Sequence, residues 1–538
     1  MRVVLLPAIV RGRAVAPAWP RVADLREGVA ARGRVVLGPT ADGTYLVCRP
    51  VIDRATLEPT GATQVLVLPA VHPAALVEPD PAAAVAGLMR LPFAEVCSFV
   101  DAVGVALRSG LADPAGALLT ATSQLGDRAH HAALAQVCGL FDGDAVRAML
   151  ERDLRGPAEE LLDRWTPVPD PAVRGLTARM ADRTPGLAPD PADDGHAADT
   201  GAADPGAVTD TGARDGRDRD GPPRPLVRGL PTRQLHLTAG NAPVVAVTSL
   251  LWGWATRGAC VVKPAADTAG LVAALGTALA AVGADHPLAR HTTLAYWRGG
   301  DPAVEDVLLA DGAFDRRVVW GSAATVDSVL RRGGATDTIV LRPRHAVSLI
   351  GAAAVRDDLA GTVRRAAVDS LVADQNACMS SLLHVVEGTD ADADAYAVEL
   401  AAVLARWDEA LPHTPSPAVT AALVGLRRGR LATARWYVNG SWPRVSSAVV
   451  RHQGGLDLRR HPGGRLVLVR AVPRLRDVLG ELGPDVSTAG VAPGAALDDL
   501  RDELAAAGVD NVLPLGEAER GHAGRPHDGM RVLGRLIR

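Results

Sequence analysis

The 538-residue chain is 48% hydrophobic and 22% charged, with a net charge of −4, enough material for about two to four domains with large cores. So small a net charge supplies no field to draw it onto nucleic acid or an anionic membrane, and it has no run of 18 or more apolar residues to span a bilayer. Five thinly scattered cysteines point to free thiols in a reducing cytoplasm and not to a disulfide framework.

Residues 3–10 are apolar but short, contain Pro7 and lack a small-residue cleavage site, which reads as a buried strand and not a signal peptide. Strand-like pieces follow at 44–47 and 64–68. Phe93, Val96, Phe99, Val100, Val103 and Leu107 then recur at helical spacing. The pair His130-His131 carries no metal hypothesis, because adjacent histidines point about 100° apart on a helix and no second ligand cluster follows. From Pro185 to Pro225 the composition changes to Asp, Gly, Ala, Pro, Thr and Arg, with Leu187 and Val208 the sizeable apolar residues. Such a segment cannot bury enough surface to offset its chain entropy, so a disordered insert is expected.

Beyond the insert the pattern becomes regular. Strands are expected at 235–238, 259–263, 292–297 and 317–320, with helices at 244–256, 271–282, 304–309 and 325–332. This alternation predicts βα units feeding a parallel sheet covered on both faces. Ligands of such sheets sit beyond the carboxyl ends of the strands, which selects the turns Gly240-Asn241, Lys263-Pro264 and Gly321-Ser322. No G-x-G-x-x-G fingerprint follows any of these strands, so a standard dinucleotide-binding turn is not the explanation.

Two residues stand out by type. Lys263 is the one lysine among 57 basic residues, and a compact ammonium on a flexible stem does what a planar guanidinium cannot at a crowded ribose or phosphate. Cys378 lies in the polar, small-residue stretch Asp374-Gln375-Asn376-Ala377-Cys378-Met379-Ser380-Ser381, just before the apolar run 382–386. Cys48, Cys97, Cys138 and Cys260 lie in apolar surroundings, where cysteine behaves as a small hydrophobe; Cys378 is placed to be reached.

In chain order, Ala239-Gly240-Asn241-Ala242-Pro243, Val262-Lys263-Pro264, Tyr296-Trp297-Arg298-Gly299-Gly300-Asp301, Trp320-Gly321-Ser322, Asp374 to Ser380 and Asp528-Gly529 resemble the signature stretches of the LuxC-type acyl-CoA reductases. These form a branch of the aldehyde dehydrogenase superfamily. The resemblance runs from about residue 225 to the C-terminus, with a weaker echo in 1–184.

The resemblance implies an α/β protein of aldehyde dehydrogenase type, with a doubly wound cofactor domain, an α/β catalytic domain and the disordered insert. Residues 1–184 would contribute to the cofactor domain, 185–225 form the insert, 226–345 bind the nicotinamide cofactor and 346–475 carry the nucleophilic cysteine. Residues 476–538 would return to the core or form an oligomer interface. The implied reaction is attack of Cys378 on an acyl thioester, reduction of the bound acyl group, and release of an aldehyde. A thiolate suits both steps, as nucleophile and as leaving group. Asn241 would match the asparagine that stabilises the oxyanion, although Gly-Asn-x-Pro also favours an Asx turn. Lys263 and Pro264 would meet the adenosine ribose, and Gly321 and Ser322 would lie under the pyrophosphate, a place equally suited to an N-cap serine.

Many NAD-using relatives carry a glutamate soon after the Lys-Pro, whereas this chain continues Ala265-Ala266-Asp267. NADPH is therefore the expected cofactor, with NADH the alternative. Hydrolytic aldehyde dehydrogenases also carry a general-base glutamate where this chain reads Ser348-Leu349-Ile350-Gly351, which turns the expectation away from acid formation. No residue that activates Cys378 is identifiable from the sequence, and His384 is expected to be a satisfied core histidine. The substrate would be acyl-CoA or an acyl-carrier thioester, supplied by an acyl-activating or acyl-transferring protein, to a homo-oligomer. The rival readings are a cysteine acyltransferase without redox turnover, an acyl-phosphate reductase, and a non-catalytic scaffold.

Overall fold

The structure is a computed structural model that describes residues 1–31, 34–54, 57–109, 122, 127–167, 226–240, 242–454, 457–520 and 526–538. The insert expected at 185–225 and Asn241 lie outside the described residues.

The chain opens with β1 (Arg2–Leu5), β2 (Ala8–Val10) and β3 (Arg13–Val15), then β4 (Val35–Leu37), β5 (Thr44–Ile52) and β6 (Pro59–Pro69). The single strand expected over 3–10 is two, because Pro7 between them has no N–H to give to a ladder. β1 joins a four-stranded sheet in the order β1-β6-β5-β4, and β2 and β3 go to a different sheet. The helix Phe93–Ser109 buries Phe93, Val96, Phe99, Val100, Val103 and Leu107, the stripe its spacing predicts. The two-residue strands β7 (Thr166–Pro167) and β8 (Leu226–Val227) pair antiparallel.

Next come β9 (Arg233–Leu237), β10 (Ala259–Lys263), β11 (Thr292–Leu294), β12 (Arg316–Trp320) and β13 (Asp337–Leu341). They form a seven-stranded sheet in the order β13-β12-β9-β10-β11-β2-β3. β9 to β13 pair in parallel, β2 joins antiparallel to β11, and β3 closes the edge antiparallel to β2. β10 reads as an unbroken apolar run because both its faces are covered. Cys260 and Val262 enter one core with Trp254 and Leu275, and Val261 enters the other with Leu66 and Trp297. The helix Val244–Ala255 is apolar all round and buried along most of its length, as a helix wedged between a sheet and other helices must be. β11 ends at Leu294, three residues short of the expected boundary. Beyond Ala295 the chain turns away so that Tyr296 and Trp297 fold against Lys263.

The second seven-stranded sheet holds β14 (His345–Ile350), β15 (Ser381–Glu387), β16 (Arg435–Ser441), β17 (Arg444–Arg451), β18 (Leu466–Val472), β19 (Val486–Ala492) and β20 (Asn511–Pro514). Their order is β16-β17-β18-β15-β14-β19-β20, with β16 the one antiparallel strand at its edge. The helices Ala352–Ser370 and Asp390–Ala410 cover one face, and Gly494–Ala506 covers the other. Residues 526–531 then cross from this sheet back to the first. There the short helix Val532–Leu536 buries its apolar residues with those of Val244–Ala255, and Leu230 and Arg538 exchange two backbone hydrogen bonds of 2.8 and 3.0 Å. Among the described residues no single helix is long and apolar enough to cross a membrane.

Candidate active site

None of the five cysteines is in a disulfide, and the four outside the 374–381 stretch are buried while Cys378 is half-buried. Burial pushes the Cys97 thiol up to about 11 and the Cys260 thiol up to about 12, which leaves both as inert core groups. Cys378 sits three residues before β15 on a turn whose backbone takes an uncommon form. Ala373, Asp374 and Gln375 have φ of 47°, 56° and 63°, a left-handed run that costs non-glycine residues ~1–2 kcal/mol each.

Such a turn persists only where its surroundings over-determine it, and here they do. Asp374 accepts from Arg465 Nε at 2.6 Å and is paired with His413 Nδ1 at 2.7 Å. Arg465, with its side chain 4% exposed, also reaches Asp408 at 2.6 Å. Gln375 Nε2 donates to the Leu466 carbonyl at 2.7 Å, and Ser380 Oγ donates to the Val372 carbonyl at 2.9 Å. Ser487 Oγ, from β19, donates to the carbonyl of Cys378 itself at 2.8 Å. Burial alone would raise the Asp374 carboxyl, but the hydrogen bond and charge of His413 and the Arg465 guanidinium outweigh it and hold the group down at about 2.

The Cys378 thiol meets the crossing segment from the C-terminus. Ligating atoms of Cys378, His527 and Asp528 lie within 4.8 Å of one another. His527 is seated on two tryptophans of the first sheet. Its ring stands edge-on to Trp320 at 4.8 Å between centroids and to Trp252 at 5.8 Å, and the two indoles stack at 5.3 Å. Trp320 ends β12 and gives its Nε1–H to Ser249 Oγ at 2.7 Å, so its ring is fixed from the Val244–Ala255 helix. Asp528 lies 3.8 Å from Arg344, which also pairs with Asp510. Burial raises the Asp528 carboxyl, against the pull of His527 and Arg344. Gly529 follows with φ +70°, and a Cβ there would stand 2.5 Å from Asp510 Oδ1; glycine is the residue that fits.

The thiol therefore faces the carboxyl end of β12, where ligands of parallel sheets bind. Gly321 and Ser322 follow Trp320 directly. Gly321 N–H is given to the Leu341 carbonyl at 3.3 Å, and Ser322 caps the helix Ala323–Arg332 by accepting from Thr325 N–H. Lys263 stands two strands away, at the end of β10, with its Nζ 5.6 Å from the Tyr296 ring and 5.9 Å from that of Trp297. Burial lowers the Lys263 pKa and the Glu305 carboxylate opposes it. Asp267 is ion-paired with Arg34 at 2.7 Å. Trp297 Nε1 is buried with no hydrogen-bond partner among the described residues, an orphaned donor beside the lysine. An ammonium, an orphaned indole N–H and a capped helix N-terminus form a donor set that fits an anionic nucleotide. Pro264 turns the chain at the end of β10.

Ser348 lies wholly inside β14, bonded to Ser381 Oγ at 2.8 Å, and it carries no carboxylate; yet the thiol does have a carboxylate beside it, Asp528, delivered from 150 residues downstream. His384 is the core histidine expected, held by Ser370 Oγ at 2.8 Å and Tyr396 O–H at 3.0 Å and pushed down to about 3 by burial. Sequence reasoning missed His527, Trp252 and Trp320 as site residues. The motif Asp528-Gly529 marked the right segment, but one imidazole in a polar stretch gives no signal of what lies across from it.

The solved structures similar to this chain are aldehyde dehydrogenases. Lactaldehyde dehydrogenase from Escherichia coli has a TM-score of 0.62 at 13% identity, covering 100% of this chain and 98% of that one. Aldehyde dehydrogenase 21 from Physcomitrella patens has a TM-score of 0.64 at 12% identity, covering 100% and 97%. At such identities the likeness fixes the fold, which is that of the aldehyde dehydrogenases. Among curated proteins, the long-chain acyl-protein thioester reductase of Vibrio harveyi is 28% identical over 318 residues, 58% of this chain and 64% of its own length. A second such reductase, from Photobacterium leiognathi, is 24% identical over 317 residues, with the same shares. The chain thus spans a little under two thirds of the length of the curated relatives it matches. The profile of the family described as Acyl-CoA reductase (LuxC) matches residues 229–538, more than half of the chain, including Lys263, Cys378, His527 and Asp528, and the chain belongs to that family.

Proposed function

We propose that this chain reduces a long-chain acyl thioester to an aldehyde, with Cys378 as the transient carrier of the acyl group. The observation that carries this reading is the half-buried Cys378 thiol, held on a fixed turn before β15 and grouped with an imidazole and a carboxylate. A thiol so placed can attack a thioester carbonyl and leave again once the acyl carbon has been reduced. Asn241 would add its amide to the backbone N–H of Cys378 as oxyanion donors, a pair worth on the order of 3 kcal/mol per donor in acyl-transfer enzymes. The donor is acyl-CoA or an acyl group on a protein; the names of the curated relatives favour the protein thioester, and so an acyl-transferring partner. Five cysteines with no disulfide suit a cytoplasmic enzyme, which we take to be a homo-oligomer.

A nicotinamide cofactor would supply the hydride. Lys263 and Pro264 would hold its adenosine ribose, and Gly321 and Ser322, at the start of the Ala323–Arg332 helix, its pyrophosphate. NADPH is the preferred form because Asp267, the carboxylate nearest in sequence to Lys263, is neutralised by Arg34, leaving less negative charge to repel a 2′-phosphate. Arg34→Glu is expected to lower kcat/KM with NADPH by about tenfold and to leave the NADH value nearly unchanged; equal loss with both cofactors would remove Arg34 from this role.

Asp528 favours a second reading. A thiol with both imidazole and carboxylate could pass its acyl group to water or another acceptor without redox turnover. Incubation with a long-chain acyl-CoA separates the two: the first reading predicts that aldehyde forms as NADPH absorbance falls, whereas free acid or a transferred acyl group at constant absorbance supports the second. Parallel assays with an acyl phosphate test the remaining donor class.

A further inference from the structure

We propose that His527 is the acid–base residue of the acylation step, taking the Cys378 thiol proton and returning it to the departing thiol. This rests on the reading of Cys378 as acyl carrier. A thiol near neutral pH is mostly protonated, so attack on a thioester needs a proton acceptor within reach of the sulfur. Among the described residues, the imidazole grouped with Cys378 Sγ is that of His527. Other imidazoles of the second sheet have other surroundings: His384 is bonded to Ser370 and Tyr396, His413 to Asp374, His452 to the N–H of Gly454 and His461 to the N–H of Gly463, and His345 is buried at the start of β14.

The surroundings of His527 hold it for that task. Trp320 and Trp252 confine the ring on one side, and the Met530 N–H bonds to the His527 carbonyl at 2.9 Å, fixing the backbone from which it projects. Its Nε2 lies 3.9 Å from Asp528 Oδ2, and Asp528 is in turn faced by Arg344. The charged and titratable described groups around the ring are therefore Cys378 and Asp528, with Arg344 and Asp510 behind the carboxylate. Asp528 is faced by Arg344 at 3.8 Å, a contact it would have to give up to take a proton.

The step balances without an oxidant or reductant. The Cys378 Sγ–C(acyl) bond forms and the donor C–S bond breaks; the thiol proton moves to His527 and then to the departing thiolate. The products are acyl-Cys378, a free thiol and a neutral imidazole.

The test uses the full chain with palmitoyl-CoA and no nicotinamide, following acyl-Cys378 by quenched-flow intact mass between pH 5.5 and 9.5. In the unmodified chain the rate should climb through the imidazole range, about 6.5, and level off above it. His527→Gln should acylate on the order of 100-fold more slowly at pH 7, with a rate that keeps rising toward thiol ionisation near about 8.5. Added imidazole should restore part of the rate to His527→Ala. Because either variant could lose its fold, iodoacetamide alkylation of Cys378 in the unmodified chain gives an independent reading. A rise in alkylation through the imidazole range supports the pairing, and a single rise near about 8.5 contradicts it. His527→Gln acylating within about threefold of the unmodified chain on the same pH profile overturns the inference. An unmodified chain that never becomes acylated while alkylation reports the pairing sinks the acyl-carrier reading alone.

Discussion

Cys378→Ala should remove acyl-enzyme formation and aldehyde production together, by on the order of 10⁴-fold or more, while leaving the fold as it is. The side chain is small and half-buried, and the turn beneath it is held by Asp374, Gln375, Ser380 and Ser487. Intact-mass detection of the adduct and a thermal melt would check both halves. Retained turnover in Cys378→Ala would mean that the acyl group never passes through this residue. Cys260→Ala is the control, because that thiol is buried against Thr292 and takes no part in the chemistry.

Asp374→Ala should cost about 1–3 kcal/mol in stability at pH 7 and lower turnover on the order of 100-fold, because a displacement of the nucleophile by about 1 Å costs that much. The carboxylate ties Arg465 and His413 to the left-handed run at 373–375, and without it Gln375, Ser380 and Ser487 alone hold that backbone conformation. The same contact gives a pH dependence with a definite sign. Asp374 is held at about 2 in the folded chain, below the about 3.9 of an unfolded aspartate. Its contribution is therefore fully present above about 3.9 and is lost as pH falls through about 2. Acid unfolding followed by circular dichroism should show this window in the unmodified chain and lack it in Asp374→Ala. Equal acid sensitivity would assign the anchoring to other contacts.

Much of the first sheet was legible because its strands and helices alternate with uncommon regularity. β10 lies at the expected boundaries, and the helices around 244–256 and 271–282 differ from expectation by a residue or two. What failed locally failed for backbone reasons. Pro7 splits one apolar stretch between two sheets, and β11 ends early because Tyr296 and Trp297 are drawn to Lys263. Within the site, Cys378 and the strand-end turns could be read from residue type and position, since lone polar-loop cysteines and strand exits are local features. The grouping of Cys378 with His527 and Asp528 could not. It depends on a segment that returns about 150 residues later in the chain and lands between two sheets, a contact set by tertiary topology. The same return brings Asp528 beside the thiol, while the position of Ser348 lacks a carboxylate as its sequence indicates.

The most direct measurement of the central claim pairs two readouts on one sample. Palmitoyl-CoA is added without nicotinamide, the mass of the Cys378 peptide is recorded, and NADPH is then supplied while aldehyde is trapped. The account predicts a palmitoyl adduct on Cys378 that disappears as aldehyde appears in equal amount. An adduct that decays to free acid at the same rate with or without NADPH, or a Cys378 peptide that never gains mass, would contradict it.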